Sequence, residues 1–269
     1  DNSIGIYAKG QGVTVGNITV GKNNSTGIYL ANGGGNVNSN GNMTIGENSY
    51  GVISNKGTNN FNFTSSNTSN VTIRNKGIYL YSTSTNGTVT NNANITGIGN
   101  EIYGLYTAGR NVVNNGNMNL GSGIGNIGMY SIKGGTSRNS PSGRITVGSS
   151  YVQPDNVDDR RYAIGMAAGF RNQDRGSIIN EGIINVRGND SIGMYATGRG
   201  STAINKGTIN LGGKNTVGML LDNGARGKNE GIIRTMPGAN PNDVEQTVGV
   251  FVGKDSVLEN TGTIHIVSK

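Results

Sequence analysis

Few side chains in this chain have the types and spacing that catalysis requires. Its single histidine, His265, is the polar middle residue of an Ile-x-Ile triplet near the end of the sequence. No Gly-x-Ser-x-Gly elbow precedes it, so no serine-hydrolase triad can be placed. Glycan cleavage needs paired carboxylates, or a carboxylate with an activated base, on a firm support. Asp155, Asp158 and Asp159 lie beside Arg160 and Arg161 in one polar stretch, without a partner on a regular strand. The same aspartates offer no spaced ligand set for calcium, and the regularly placed Asp of calcium-binding nonapeptide repeats is missing. The chain has no cysteine, which excludes disulfides and thiolate metal sites. We therefore expect no enzyme, no cofactor and no metal, and look for binding residues instead.

Three sets of residues qualify. The first is a column of aromatics, each two residues after a recurring glycine: Tyr7, Tyr29, Tyr79, Tyr106, Tyr130, Tyr195 and Phe251. Such rings can stack on sugar faces, or simply pack on one another and cover their own sheet. Ile53, Ala167 and Leu220 interrupt the column. The second set is a basic row, Arg110, Lys133, Arg171, Arg199 and Arg226, at or near the sixth residue after the glycine. It would attract anionic partners, or merely keep an exposed corner solvated. The third is a group of insertions near 58–70, 149–163 and 235–247. Loops on a rigid scaffold commonly carry binding residues, which here are Tyr151, Asp155, Asp158, Asp159, Arg160, Arg161, Asp243 and Glu245. Inert loops are the alternative.

The elements that must position these residues come from a repeat. Gly-Ile-Tyr at Gly5–Tyr7 returns, exactly or in variants, with glycines at 27, 51, 77, 104, 128, 165, 193, 218 and 249. From 5 to 249 in nine steps, the period is about 27 residues, in the range of solenoids and arrays. Around each glycine apolar residues alternate with others, the period of a strand. The residue after the glycine is expected to face the core, with the glycine and the aromatic facing out. A second strand of the form Ile-x-Val follows, as in Ile145-Thr146-Val147 and Ile184-Asn185-Val186, with its polar middle residue toward water. A third, shorter segment ends in Asn-x-Gly at Asn114, Asn180, Asn205 and Asn229. Asn there is expected to make a left-handed corner and to bond from coil to coil.

Three short strands per turn without helical period describe a right-handed parallel β-helix of about ten coils. A propeller blade needs four antiparallel strands, and the hairpin turns are missing. A thin core suits a hydrophobic fraction of 33%, and 47 glycines with four prolines show no collagen period. The formal charge of +7 favours anionic partners over neutral indifference. Both ends fall on repeat strands without polar caps, so the chain reads as one continuous segment, 1–269, of a longer molecule.

The phrase Ser-x-Gly-Ile-Tyr-Ala-x-Gly followed by Asn-x-Gly-x-Ile-x-Val-Gly-x-x-Ser is clearest at Ser191–Gly198 with Asn205–Gly212, and at Ser25–Leu30 with Asn40–Ser49. It resembles the passenger repeats of the large autotransporter adhesins of fusobacteria, over nearly the whole chain apart from the insertions. The resemblance implies a cell-surface passenger held at the outer membrane by a C-terminal β-barrel that this segment lacks. It further implies adhesion to host cells or to other bacteria through a glycan or protein receptor. A monomer without nucleic-acid partners is expected. A passive stalk is the alternative, and a polysaccharide-processing enzyme the more distant one.

Overall fold

The computed structural model describes residues 1–10, 12–32, 34–55, 59–153, 155–169 and 174–267. Its strands form three parallel sheets of ten strands each, wound as a right-handed β-helix. Each turn, or rung, contributes one strand to sheet A, then B, then C. In the first rung these are Ile4–Ala8, Gly12–Val15 and Ile18–Val20; in the tenth they are Val248–Val252, Val257–Asn260 and Thr263–His265. The only helical elements among the described residues are two short 3-10 turns, Val157–Asp159 and Pro241–Asp243. Among the described residues no helix is long and apolar enough to cross a membrane.

The core column of sheet A runs Ile6, Ile28, Val52, Leu80, Leu105, Met129, Met166, Met194, Met219, Val250. Nine of these residues match the expected column. Rung four differs: Leu80 faces inward where Ile78 was expected, and the outward aromatic is Tyr81, not Tyr79. A slip of two residues preserves the alternation of faces, so pattern alone could not choose between the two registers. Tyr79 is instead wholly buried, edge-on to Phe63 at 5.8 Å between ring centroids. Its hydroxyl meets the small side chains of Ser39 and Ser65 without forming a hydrogen bond, and burial pushes its pKa well up.

The glycines also depart from expectation, for they face inward. In rung five Tyr103 pairs with Ile127 and Leu105 with Met129, leaving Gly104 out of the ladder. Two successive residues then turn to the core, and the strand reads half-buried, buried, buried, half-buried, buried. The requirement for glycine is steric. A Cβ on Gly193 would lie 2.6 Å from the Gly218 carbonyl oxygen and 2.8 Å from Ile209 Cγ2. Sheet C leans its isoleucines against bare backbone, and that close approach makes the coil thin.

The Asn-x-Gly asparagines end the sheet B strands but do not form left-handed corners. Positive φ is found elsewhere, at Asn48, Lys76, Glu101, Asp190 and Asn215 before sheet A and at Lys133, Asn223 and Asp255 after it. The asparagines are internal. Asn91, Asn114, Asn139, Asn180, Asn205, Asn229 and Asn260 form a ladder in which each Nδ2 donates to the next Oδ1 at 2.7–2.9 Å. Asn91 also receives a bond from Ser65 Oγ. A buried amide left unpaired costs roughly 1–3 kcal/mol, so the ladder holds successive rungs in register.

The stretch near 58–70 is not one loop. Phe61–Ser65 belongs to sheet B and Asn70–Arg74 to sheet C, both in regular register with their neighbours. Both look like strands because both are; Thr58 itself lies outside the described residues. Long connections do occur at 149–163 and 235–247, each between a sheet C strand and the following sheet A strand. A further long connection, between Ala168 and Ser177, was not anticipated.

Candidate functional site

The outward face of sheet A carries two apolar columns side by side. One is the aromatic column, corrected to Tyr7, Tyr29, Ile53, Tyr81, Tyr106, Tyr130, Ala167, Tyr195, Leu220 and Phe251. The other lies just before the glycines, or before Tyr79 in rung four, and includes Tyr50, Ile78, Tyr103, Ile127, Ile164, Ile192 and Val217. Ile127, Ile164, Ala167 and Ile192 are buried there, in a hydrophobic cluster separate from the core of the coil. An apolar cluster on the outside of a solenoid requires a cover, and here tyrosines and a loop supply it.

Much of the tyrosine column packs on itself. Tyr7 stacks on Tyr29 at 5.7 Å and Tyr81 on Tyr106 at 5.4 Å, while Tyr103 meets Tyr106 edge-on at 5.6 Å. The pattern changes at Tyr130, which stands at 87° to Tyr106. Its neighbour on the next rung is Ala167, too small to stack. The phenol therefore leans across the vacancy and donates to the Gly169 carbonyl oxygen at 2.9 Å. With Tyr195 on the far side, Ala167 becomes the floor of a notch between two rings.

The loop 149–163 walls this notch. Its base is closed by paired backbone hydrogen bonds between Tyr151 and Arg161, both 2.9 Å, and by Ala163 N–H donating to Ser150 Oγ. Asn156 caps the 3-10 turn by accepting from the Asp158 N–H, and Arg160 Nε donates to the Gln153 carbonyl. Arg161 then pins the loop to the coil, pairing with Glu101 at 3.5 Å and Asp159 at 3.1 Å. It also lies 6.0 Å from the Tyr151 ring centroid. These pairs are about half exposed, so each contributes at most ~1 kcal/mol. Beneath Arg161 the chain turns at Gly125 in the left-handed region, where a Cβ would come within 2.9 Å of Arg161 Cβ. Glycine is needed there both for its φ and for the close approach of the loop.

Together these residues enclose a groove of about 770 Å³, within the range of small-ligand sites. Its lining includes Tyr103, Ile127, Tyr130, Ile164, Ala167 and Tyr195 from sheet A, and Arg160, Arg161 and Tyr162 from the loop. Glu101 is the sole carboxylate among the lining residues, and it is engaged by Arg161. Burial raises the pKa of the phenols here. Tyr106, beside the groove, is pushed up to about 12, with the neighbouring Tyr81, Tyr103 and Asp174 adding to the effect of burial. Tyr130, Tyr103 and Tyr195 also rise, chiefly by burial. The hydroxyls thus stay neutral and can donate as well as accept.

The structure brings together Arg160, Arg161, Tyr130 and Tyr195 from two separate sets of sequence candidates. Tyr151 and Asp159 brace the loop, whereas Asp155 and Asp158 are exposed on it. Asp243 lies in the second 3-10 turn and Glu245 pairs with Lys214 at 3.2 Å; neither lines the groove. Arg110, Lys133, Arg199 and Arg226 are exposed along the A–B corner, and Arg171 falls outside the described residues. Tyr103, Ile127, Ile164 and Tyr162 were missed. The signal was present: the residue before the glycine is apolar in most copies, as in Ile127-Gly128, Ile164-Gly165 and Ile192-Gly193.

No curated protein and no solved structure matches the chain. A family model does, and it fits a β-helix passenger of the adhesin type without indicating a fusobacterial origin. The β-helix, its three parallel sheets and the match over residues 1–232 agree: the chain belongs to the family described as the BigA third pectate lyase-like domain.

Proposed function

We propose that this segment is a ligand-binding stretch of a surface adhesin passenger, and that the sheet A groove is where it holds a host-cell or partner-bacterium receptor, a glycan or a protein side chain. The observation that carries this reading is the loop limb Arg160–Tyr162 folded over an external apolar face, with Ala167 opening a notch between Tyr130 and Tyr195. Phenol rings and neutral hydroxyls suit an uncharged ligand, because they offer flat apolar contact together with hydrogen bonding. The cations of the wall are internally satisfied, Arg161 by Glu101 and Asp159 and Arg160 by the loop.

Pectate lyase-like β-helices can be enzymes, so catalysis is a competing reading. It fares poorly at this groove, whose one lining carboxylate is tied to Arg161 and has no second carboxylate opposite it. A passive spacer is the other alternative, and it gives no role to a walled groove.

The test is retention of intact chain on host cells, partner bacteria and a glycan array. Ala167→Tyr would restore the tyrosine found on the rungs either side and close the notch. It is expected to abolish binding with the circular dichroism spectrum unchanged, whereas deletion of 236–246 leaves binding intact. Equal retention of Ala167→Tyr and the parent chain would remove the groove from consideration, and absence of any binding would favour the spacer.

A further inference from the structure

The corner between sheets A and B carries one exposed cation on each of six successive rungs. They are Arg110, Lys133, Arg175, Arg199, Arg226 and Lys254, from rung five to rung ten. Rungs follow one another at about 4.8 Å, so the row extends over about 24 Å. None of the six makes an ion pair with a carboxylate among the described residues, although ion pairs form elsewhere at Arg138, Arg161, Lys214 and Lys228. The nearby acids are turned aside. Asp174 Oδ1 accepts the backbone N–H groups of Lys133 and Arg175 at 2.7 and 2.8 Å. Asp222 is engaged by the backbone and side chain of Asn223. Asp255 alone stands free beside Arg199, and it offsets one charge.

The surface between these cations is shaped as well as charged. Shallow depressions lined by Arg110, Lys133 and Arg175, and by Arg199 and Arg226, meet at Gly200. Gly134, Gly176 and Gly224 line them too, leaving backbone rather than side chains between the charges. The result is a narrow, straight basic track with a low floor. A globular acidic partner would touch it over only part of its length, whereas an extended polymer could follow it.

We propose that this corner binds a linear polyanionic glycan, sulfated or rich in uronate, lying parallel to the helix axis. Repeating negative charge along such a chain matches repeating positive charge along the rungs, and several weak contacts in series give useful affinity. The track borders the groove along the A–B edge of sheet A, where Asn223 lines both the groove and the depression at Arg199.

The experiment measures binding of a heparin octasaccharide to the intact chain, with a single-stranded oligonucleotide of equal charge as comparison. The variant Lys133→Gln/Arg175→Gln/Arg199→Gln/Arg226→Gln is expected to lose about thirtyfold in affinity. A charge-matched control, Arg74→Gln/Arg144→Gln/Arg187→Gln/Lys206→Gln, removes exposed cations along sheet C and its corners and is expected to bind within about twofold of the parent. Binding should weaken steeply with salt. Three results would each overturn the proposal: no heparin binding by the parent, an equal loss in the control, or an oligonucleotide bound as tightly as heparin.

Discussion

The sheet A groove and the A–B corner sit on the same rungs and use the same repeat, yet their electrostatics are opposite. In the groove Arg161 lies between Glu101 and Asp159, and apart from Lys76 at one end the contact area is largely aromatic, aliphatic and uncharged polar surface. Along the corner the cations form no ion pairs among the described residues; Asp174 and Asp222 bond to backbone N–H groups, and only Asp255 stands free beside Arg199. Proximity of charges in sequence therefore says little about availability. Arg160 and Arg161 are adjacent to three aspartates and brace a loop; Arg110 and Arg199 are separated by several coils and form a track.

The scaffold beneath both surfaces gives the largest expected effect. Gly193 belongs to the sheet A strand Ile192–Thr197 and faces Ile209 of sheet C, on the rung that carries both Tyr195 and Arg199. Gly193→Val forces the side chain against the next rung's carbonyl and Ile209, and should cost about 3 kcal/mol, with loss of both activities together. Denaturant melts read the stability change; survival of one activity without the other would show that the two regions do not share this support.

A smaller change separates them. Arg161→Ala removes two half-exposed ion pairs and should cost about 1 kcal/mol in total. Its sharper effect is local, faster proteolytic cleavage within 152–160 and weaker groove binding, with heparin binding unchanged. A drop in heparin binding would mean that the loop wall and the basic track are coupled.

The smallest effect concerns only the groove. The phenol of Tyr106 ionises near 12 rather than at its usual 10 because it is buried. The unfolded chain therefore deprotonates first as pH rises, and this contribution to stability is full below pH 10 and is lost between about 10 and 12. Tyrosinate absorbance should show a fraction of the phenols lagging over that interval, and the lag should shrink in Arg161→Ala as water enters. An unchanged lag would separate phenol burial from the loop wall.

Much of the scaffold was legible. A period of about 27 residues, apolar alternation and Asn-x-Gly segments led to three strands per coil and to coil-to-coil asparagine contacts. The core column was read correctly on nine rungs of ten, and failed where Gly77-Ile78-Tyr79-Leu80-Tyr81 allows two registers that differ by two residues. The groove was only half legible. Ala167 looked like a defect in a tyrosine column, whereas it is the floor of the notch. Arg160 and Arg161 stand out in sequence for their charge, but Glu101, the partner of Arg161, lies 60 residues away from it, and no local pattern joins the two.

The sequence by itself determined the solenoid, because a strand's period and a repeat's length are local quantities carried in every copy. It also determined which side chains repeat, and it located the interruptions at 149–163 and 235–247 but not the one between Ala168 and Ser177. Only the tertiary structure decided the inward turn of the glycines, the interior place of the asparagines, and which charges are paired. Each of those depends on what the neighbouring rung puts opposite: a carbonyl oxygen 2.6 Å from the missing Cβ of Gly193, or a carboxylate 3.5 Å from Arg161. Contacts between rungs are made across a whole turn of chain, and the character of each surface is set there.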